Sequence, residues 1–557
     1  MRYRSKRHSR IRVALLVFLA SSVILTFAVG TFGQTIDTDA TYTYIRKAEC
    51  KSLDPHNARD NYSLVILADI FQRLVQVDSE DATNLIGDAA ASWSLSEDGL
   101  SYTFHIREGL KFHDGSDLTA HDVKFSFDRT VLMNGTAGLA AKLNLILGAQ
   151  AYIDSGMTQA DADAYLAAGG VVVEDDYTVA IHLTQINIPF IKVLSLYSFI
   201  GSEDYVMANG GVVPGEENDW IARNPMGSGS FTFVEWVPGQ RVVLERYEEY
   251  WEGPANVKRV VAEFISEASV QLLKLRSGEA DIIELAFSDA NQVLDLETGE
   301  ILFPEIQVLS YSLLRLSAVF FNHAVSPYDD VRFREAISKA FPCDLFIEAV
   351  LYDMFGNRIN GIIPMGMSAY PSDIPLLEND SAEAKALFEE IGWTGTLDMT
   401  IRSNNATSKQ LALMMKDSIE DLDVGITVNI EELDSSTFVG QMRAGELDFW
   451  NNSWGASAND ADPMVEGLLY STGYYANQQS FVSEEIDALF LAARAELNEE
   501  ARNAMYQDII EKGNALYVNI PLYQDHALAV MGSWMGGWKS SPLLWDRRSY
   551  FIEKYEQ

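Results

Sequence analysis

Apolar and polar residues alternate sharply at several places along the chain. Leu100, Tyr102, Phe104 and Ile106 alternate with Ser101, Thr103 and His105, the two-residue period of a half-buried strand. Glu97-Asp98-Gly99 before that run and Asp114-Gly115 after it carry turn chemistry. Thr119 stands where an N-cap is expected, ahead of a helix bearing Val123, Phe125 and Phe127. The strand period recurs at Thr41–Ile45. It recurs again in two strands around the acidic turn after Val173, and on both sides of Pro238-Gly239. Elsewhere the period is helical. Leu64–Leu74 forms one such run, and a second is predicted over Glu267–Ser277, capped by Ser266 and stopped by Gly278. A third starts at Asp380, with Glu383 three residues on, and ends at Gly392. One long amphipathic helix is predicted over 484–516, with Ile486, Leu489, Phe490, Ala493, Leu497, Ala504, Ile509 and Ile510 on its stripe. A strand entering at Glu263 and another leaving at Ala280-Asp281-Ile282 make the second helix a crossover, which builds parallel or mixed sheet. No repeat or low-complexity linker divides the chain, so its lobes are expected to be interleaved.

Composition narrows the class. A chain of 557 residues, 48% apolar and 22% charged, has room for two or three domains. Its net charge is −39; setting aside the six basic residues and no acids of residues 1–33 leaves −45 for the rest. Such a surface repels phosphate, which argues against nucleic acid and anionic lipid; it serves solubility or attracts cationic ligands. The N-terminus reads as an export signal: a basic segment, the apolar run Val13–Gly30, and Thr31-Phe32-Gly33 as a cleavage site. The length of that run also allows an uncleaved N-terminal anchor. Cys50 and Cys343 are far apart in sequence and are compatible with a disulfide or with two free thiols.

Motifs of catalysis are not found. The eight histidines are scattered singly. Gly227-x-Gly229 runs into a strand where a phosphate loop needs a helix. Asp329 and Asp330 sit where a helix N-terminus favours acids. Asn459, Asp460 and Asp462 could hold a hard cation. No base, nucleophile and orienting group converge, so no catalytic residue and no cofactor are assigned.

Four blocks carry a resemblance. These are Ser92-Trp93 through Ser126, with Tyr-Thr-Phe-His-Ile-Arg and Lys-Phe-His-Asp-Gly at their centre; Asn224-Pro225-Met226-Gly227-Ser228-Gly229-Ser230-Phe231; Pro327-Tyr-Asp-Asp-Val-Arg-Phe-Arg; and Trp454-Gly-Ala-Ser-Ala-Asn-Asp-Ala-Asp-Pro. Together with Ser52-Leu53-Asp54-Pro55, they are similar to the extracellular solute-binding proteins of family 5, the peptide, dipeptide and nickel receptors of ABC importers. The resemblance implies an α/β chain with the type II periplasmic-binding-protein fold, two lobes joined by a hinge and an extra subdomain (class C-like). It implies a signal peptide over 1–33, lobe I over 34–75 and 205–303, subdomain II over 76–204, lobe III over 304–524, and a return to lobe I over 525–557. The implied function is capture of an oligopeptide or dipeptide in an interlobe cleft by an exported monomer, periplasmic or held at the cell surface, that delivers it to a membrane permease.

The resemblance also implies a site. An Asp of the tryptophan–aspartate loop would pair with the peptide ammonium: Asp460, with Asp462 as rival because this loop has extra residues. Arg59, Asp60 and Asn61, after the Asp-Pro turn, would meet the ligand, and Trp454 would wall it. Trp450, Trp534 and Trp538 add aromatics of the kind that bind sugars, which keeps an oligosaccharide ligand open. An exported hydrolase is the alternative from another class, and a nickel or haem receptor lacks a histidine or methionine cluster.

Overall fold

Two long antiparallel strands, Ile306–Phe321 and Asn519–Gly532, form the spine of the computed structural model. The structure describes residues 35–135, 139–539, 541, 543 and 548–556; the export signal and the anchor alternative lie outside the described residues. The two strands pair in three registers. Residues 306–312 run against 526–532, with Leu313, Leu314 and Arg315 bulging out opposite Asp525; 316–317 then run against 523–524, and after a second shift at Leu522, 318–320 run against 519–521. Arg315 Nε meets the Asp525 carboxylate at 2.5 Å at the first irregularity.

Beyond the first register the sheet continues through Ile282–Glu284, Thr41–Arg46, Arg259–Phe264, Arg241–Arg246 and Phe231–Val237. Beyond the other two it continues through Phe449–Gly455, Gly395–Arg402 and Ile426–Leu433. The sheet is mixed: Thr41–Arg46 is parallel to both of its neighbours, as Gly395–Arg402 is to its own. Helices Ala268–Arg276 and Ala406–Glu420 make the crossovers that parallel pairing requires. Alternate residues feed separate cores on its two faces. Leu316, Ala318, Phe320 and Trp450 pack on one face, and Val319, Phe321 and Phe449 on the other. A separate antiparallel sheet joins Ala90–Leu95, Ser101–Ile106, Thr178–His182 and Val171–Asp175 around a third core that includes Phe104, Phe112, Val123 and Ile181.

Local chemistry explains most element starts. Thr119 and Asp122 form a reciprocal capping box on Ala120–Met133, and Asp330 and Asp380 accept backbone N–H groups at the starts of Val331–Ala340 and Ser381–Ile391. Two expectations are corrected. The helix Ala268–Arg276 starts after Glu267, and Ser266 does not cap it. The predicted 484–516 helix is two, Glu484–Ala495 and Glu499–Ala515, because the Asn498 side chain accepts from Ala501 N and starts a new helix. Cys50 and Cys343 are both free and buried, in different cores.

Candidate solute-binding site

The loop that follows Phe449–Gly455 turns into the helix Asp462–Leu468, with Pro463 in its first turn. Across from it lies the helix Phe190–Tyr197, whose Phe190 and Leu194 pack into the third core. Lys192 is the only charged residue of that helix, and it leaves the helix toward the loop. Its ammonium donates to the carbonyl of Asn459 at 3.0 Å and forms an ion pair with Asp460 Oδ2 at 3.2 Å. Asp460 is almost wholly buried, and its other oxygen accepts from Asp462 N at 3.0 Å. Two further contacts stitch the same seam: Ile188 N donates to Arg494 O at 3.1 Å, and Asn459 Nδ2 donates to Ala82 O at 2.5 Å.

Asp462 belongs to a second network. Arg494, from the last turn of Glu484–Ala495, grips its carboxylate with Nε at 2.7 Å and Nη2 at 2.9 Å, and reaches Glu466 at 2.8 Å. Tyr506 donates to the same carboxylate at 3.1 Å. Burial pushes the Asp462 carboxyl up while Arg494 pulls it down, and the fork-shaped guanidinium keeps this acid engaged with the protein itself. The pair Asp460 and Asp462, read from sequence as cation ligands, are thus neutralised by Lys192 and Arg494.

Trp454 is half-buried. Its indole N–H donates to Pro463 O at 3.2 Å, its ring stacks on Tyr474 at 5.7 Å, and Tyr475 meets it edge-on at 5.3 Å. Gly467 lies so close that a Cβ there would stand 2.5 Å from Trp454 Cζ2. Of the residues after the Asp-Pro turn, Asp60 is the N-cap of Asn61–Ile70, accepting from Ser63 N and Ser63 Oγ, and Asn61 opens that helix. Arg59 is exposed and hydrogen-bonds the buried Tyr197. It lies near Lys142, whose ammonium burial pulls below the usual lysine range, with Glu466 acting in the opposite sense.

Trp450 is fully buried and stacks on Phe320, so it offers no platform for a sugar. Trp534 spends its N–H on Asp281 at 2.7 Å. Trp538 lines a separate small pocket, partly open to solvent, with Tyr44, Arg46, Glu284 and Ala529. It lies at the carboxyl ends of the parallel strands Thr41–Arg46 and Ile282–Glu284, where open α/β sheets take ligands. Arg46 and Glu284 pair there at 2.8 Å.

This arrangement can be set against known proteins. The model of the bacterial extracellular solute-binding proteins, family 5 (middle region), matches residues 84–476. The chain belongs to this family. It is 27% identical over 493 residues to heme-binding protein A of Haemophilus influenzae, covering 86% of this chain and 85% of that one. It is 26% identical over 513 residues to a probable D,D-dipeptide-binding periplasmic protein of Escherichia coli, covering 90% and 91%. Among solved structures it is similar to a periplasmic binding protein of Helicobacter pylori in complex with the peptide STSA, with a TM-score of 0.73, 24% identity, and 93% and 98% of the two chains covered. The fold is that of the type II periplasmic binding proteins, and the family is one of solute binders. Among the described residues no helix is long and apolar enough to cross a membrane.

Sequence reasoning found the loop 454–462 but missed Lys192, Arg494 and Tyr506. A lone lysine in the apolar run Phe190–Tyr197 was the available signal for the first. No local pattern marks the other two. It also missed the buried cluster in which Arg129 binds Asp54 with both terminal nitrogens, at 2.7 and 2.6 Å, and His56 Nδ1 at 2.7 Å.

Proposed function

We propose that this chain is the exported receptor of an ABC importer. It captures an oligopeptide or dipeptide between its lobes and hands it to a membrane permease, acting as a monomer and without turning the ligand over. The observation that carries the reading is the pair of strands Ile306–Phe321 and Asn519–Gly532, each running through both halves of the sheet with two register shifts midway along their pairing. A connection of two strands with a local irregularity can absorb the dihedral changes of hinge closure around a ligand. The dipeptide-binding relative of Escherichia coli and the peptide-bound protein of Helicobacter pylori support the ligand class.

In this reading the loop 454–463 and Arg59 border the cleft, Trp454 walls it, and Asp60 and Asn61 start the helix that directly follows Arg59 and so fix its place. Histidines 56, 113 and 323 spend a ring nitrogen on a backbone carbonyl, which favours a peptide over haem or nickel. Native mass spectrometry of the protein purified without denaturation tests the proposal. Excess mass that fragments into amino acids is the expected result. Hexose increments would replace it with a sugar receptor, and steady cleavage of a labelled peptide by clean protein would make it a hydrolase.

A further inference from the structure

The Asp460 carboxylate has one oxygen committed to the backbone of its own loop and one directed at an ammonium, and that ammonium belongs to the protein. Lys192 comes from a helix 268 positions before Asp460 in the chain and its side chain is 16% exposed; it donates to the Asn459 carbonyl and stands 3.2 Å from Asp460 Oδ2 as an ion pair, without a formed hydrogen bond to that oxygen. An incoming α-ammonium would have to take Asp460 from Lys192 and leave a largely buried lysine with a carbonyl alone. A buried ammonium without its counter-ion is strongly disfavoured, so the exchange opposes binding. A ligand whose amino end is acylated needs no carboxylate and leaves the ion pair standing.

Resting on the peptide reading above, we propose that Lys192 is a specificity-determining residue that fills the ammonium position at Asp460, so that this receptor selects peptides with a blocked amino terminus over peptides with a free amino terminus.

The test offers the full mature protein an equimolar mixture of two randomised pentapeptide libraries, one with free amino termini and one N-acetylated, and counts retained peptides of each kind by native mass spectrometry. The wild-type protein is expected to retain the acetylated set in at least tenfold excess. In Lys192→Met the ratio should fall at least tenfold, because Asp460 then lacks a cation and accepts the α-ammonium. Lys192→Gln, which keeps a donor for the Asn459 carbonyl, should do the same and covers the case in which the methionine variant does not fold. Lys192→Arg should keep the wild-type preference. A wild-type excess of free peptides, or a ratio unmoved by both neutral variants, would overturn the inference and leave the peptide reading intact. Retention of neither library by any of the four proteins would remove the peptide reading, and this inference with it.

Discussion

Replacing His56 by glutamine should change how stability depends on pH while leaving it nearly unchanged at neutral pH. His56 is fully buried, its Nε2 is 3.2 Å from Phe199 O, and its Nδ1 is 2.7 Å from Arg129 Nη1. Since Arg129 can only donate, Nδ1 must accept, and the proton of the neutral ring sits on Nε2. Protonating Nδ1 would place a second cation against the guanidinium, so burial and Arg129 together depress this imidazole to about 3. A base depressed in the folded state takes up protons in the unfolded state first. Stability is therefore fully present above pH 6.5 and is lost as pH falls from 6.5 toward 3. At pH 4.5, two units below the unfolded value, the loss from this residue is about 2.7 kcal/mol, at about 1.4 kcal/mol per unit. Asp54, held low by Arg129, keeps contributing until the pH falls below the ordinary carboxylate range, so the two windows separate. Glutamine can donate to Phe199 O and accept from Arg129 without titrating. Urea unfolding of both proteins at pH 7.5 and 4.5 measures the difference. The expected outcome is near-equal stability at pH 7.5 and a glutamine variant more stable by about 2–3 kcal/mol at pH 4.5. A difference independent of pH would refute the assigned tautomer and the neutral state of His56. The comparison also cancels Asp69, a buried carboxyl raised to about 7 whose contribution runs in the opposite sense.

Arg494→Met should cost about 3–5 kcal/mol in urea unfolding, since Asp462 would be left buried with Tyr506 as its remaining side-chain donor and Glu466 nearby; a loss under 1 kcal/mol would show that the network is dispensable. Burial pushes both thiols, Cys50 and Cys343, up to about 12, so the native protein at pH 8 should resist a thiol reagent that titrates two groups after denaturation. Rapid labelling of the native protein would contradict the burial of these residues.

What the sequence reveals here is set by distance along the chain. Strand alternation at 100–106 and the caps at Thr119, Asp330 and Asp380 rest on residues within a few positions of one another, and each stands in the structure. The break at 496–498 was hidden because its apolar stripe continues across it, while the signal for a new helix, Asn498, is one side chain. The loop 454–462 was visible as a block of residue types, but what those residues do depends on partners that no local pattern supplies. Asp460 looks identical in sequence whether it awaits a ligand or already holds Lys192.

The seam therefore reverses the charge logic read from composition. A chain of net −39 is expected to present acids to its surroundings and to draw in cationic ligands. At the loop, however, the buried acids Asp460 and Asp462 are each met by a cation of the protein, Lys192 and Arg494, and Arg129 answers Asp54 in the cluster behind. A buried carboxylate stays ionised only when it is paired or well hydrogen-bonded, and at this seam Asp460 and Asp462 are each met by a cation from another segment. Arg59 and Lys142 stand near these pairs as further positive charge. At this seam the pairing of Asp460 with Lys192 and of Asp462 with Arg494, rather than the net charge of the chain, sets the local electrostatics.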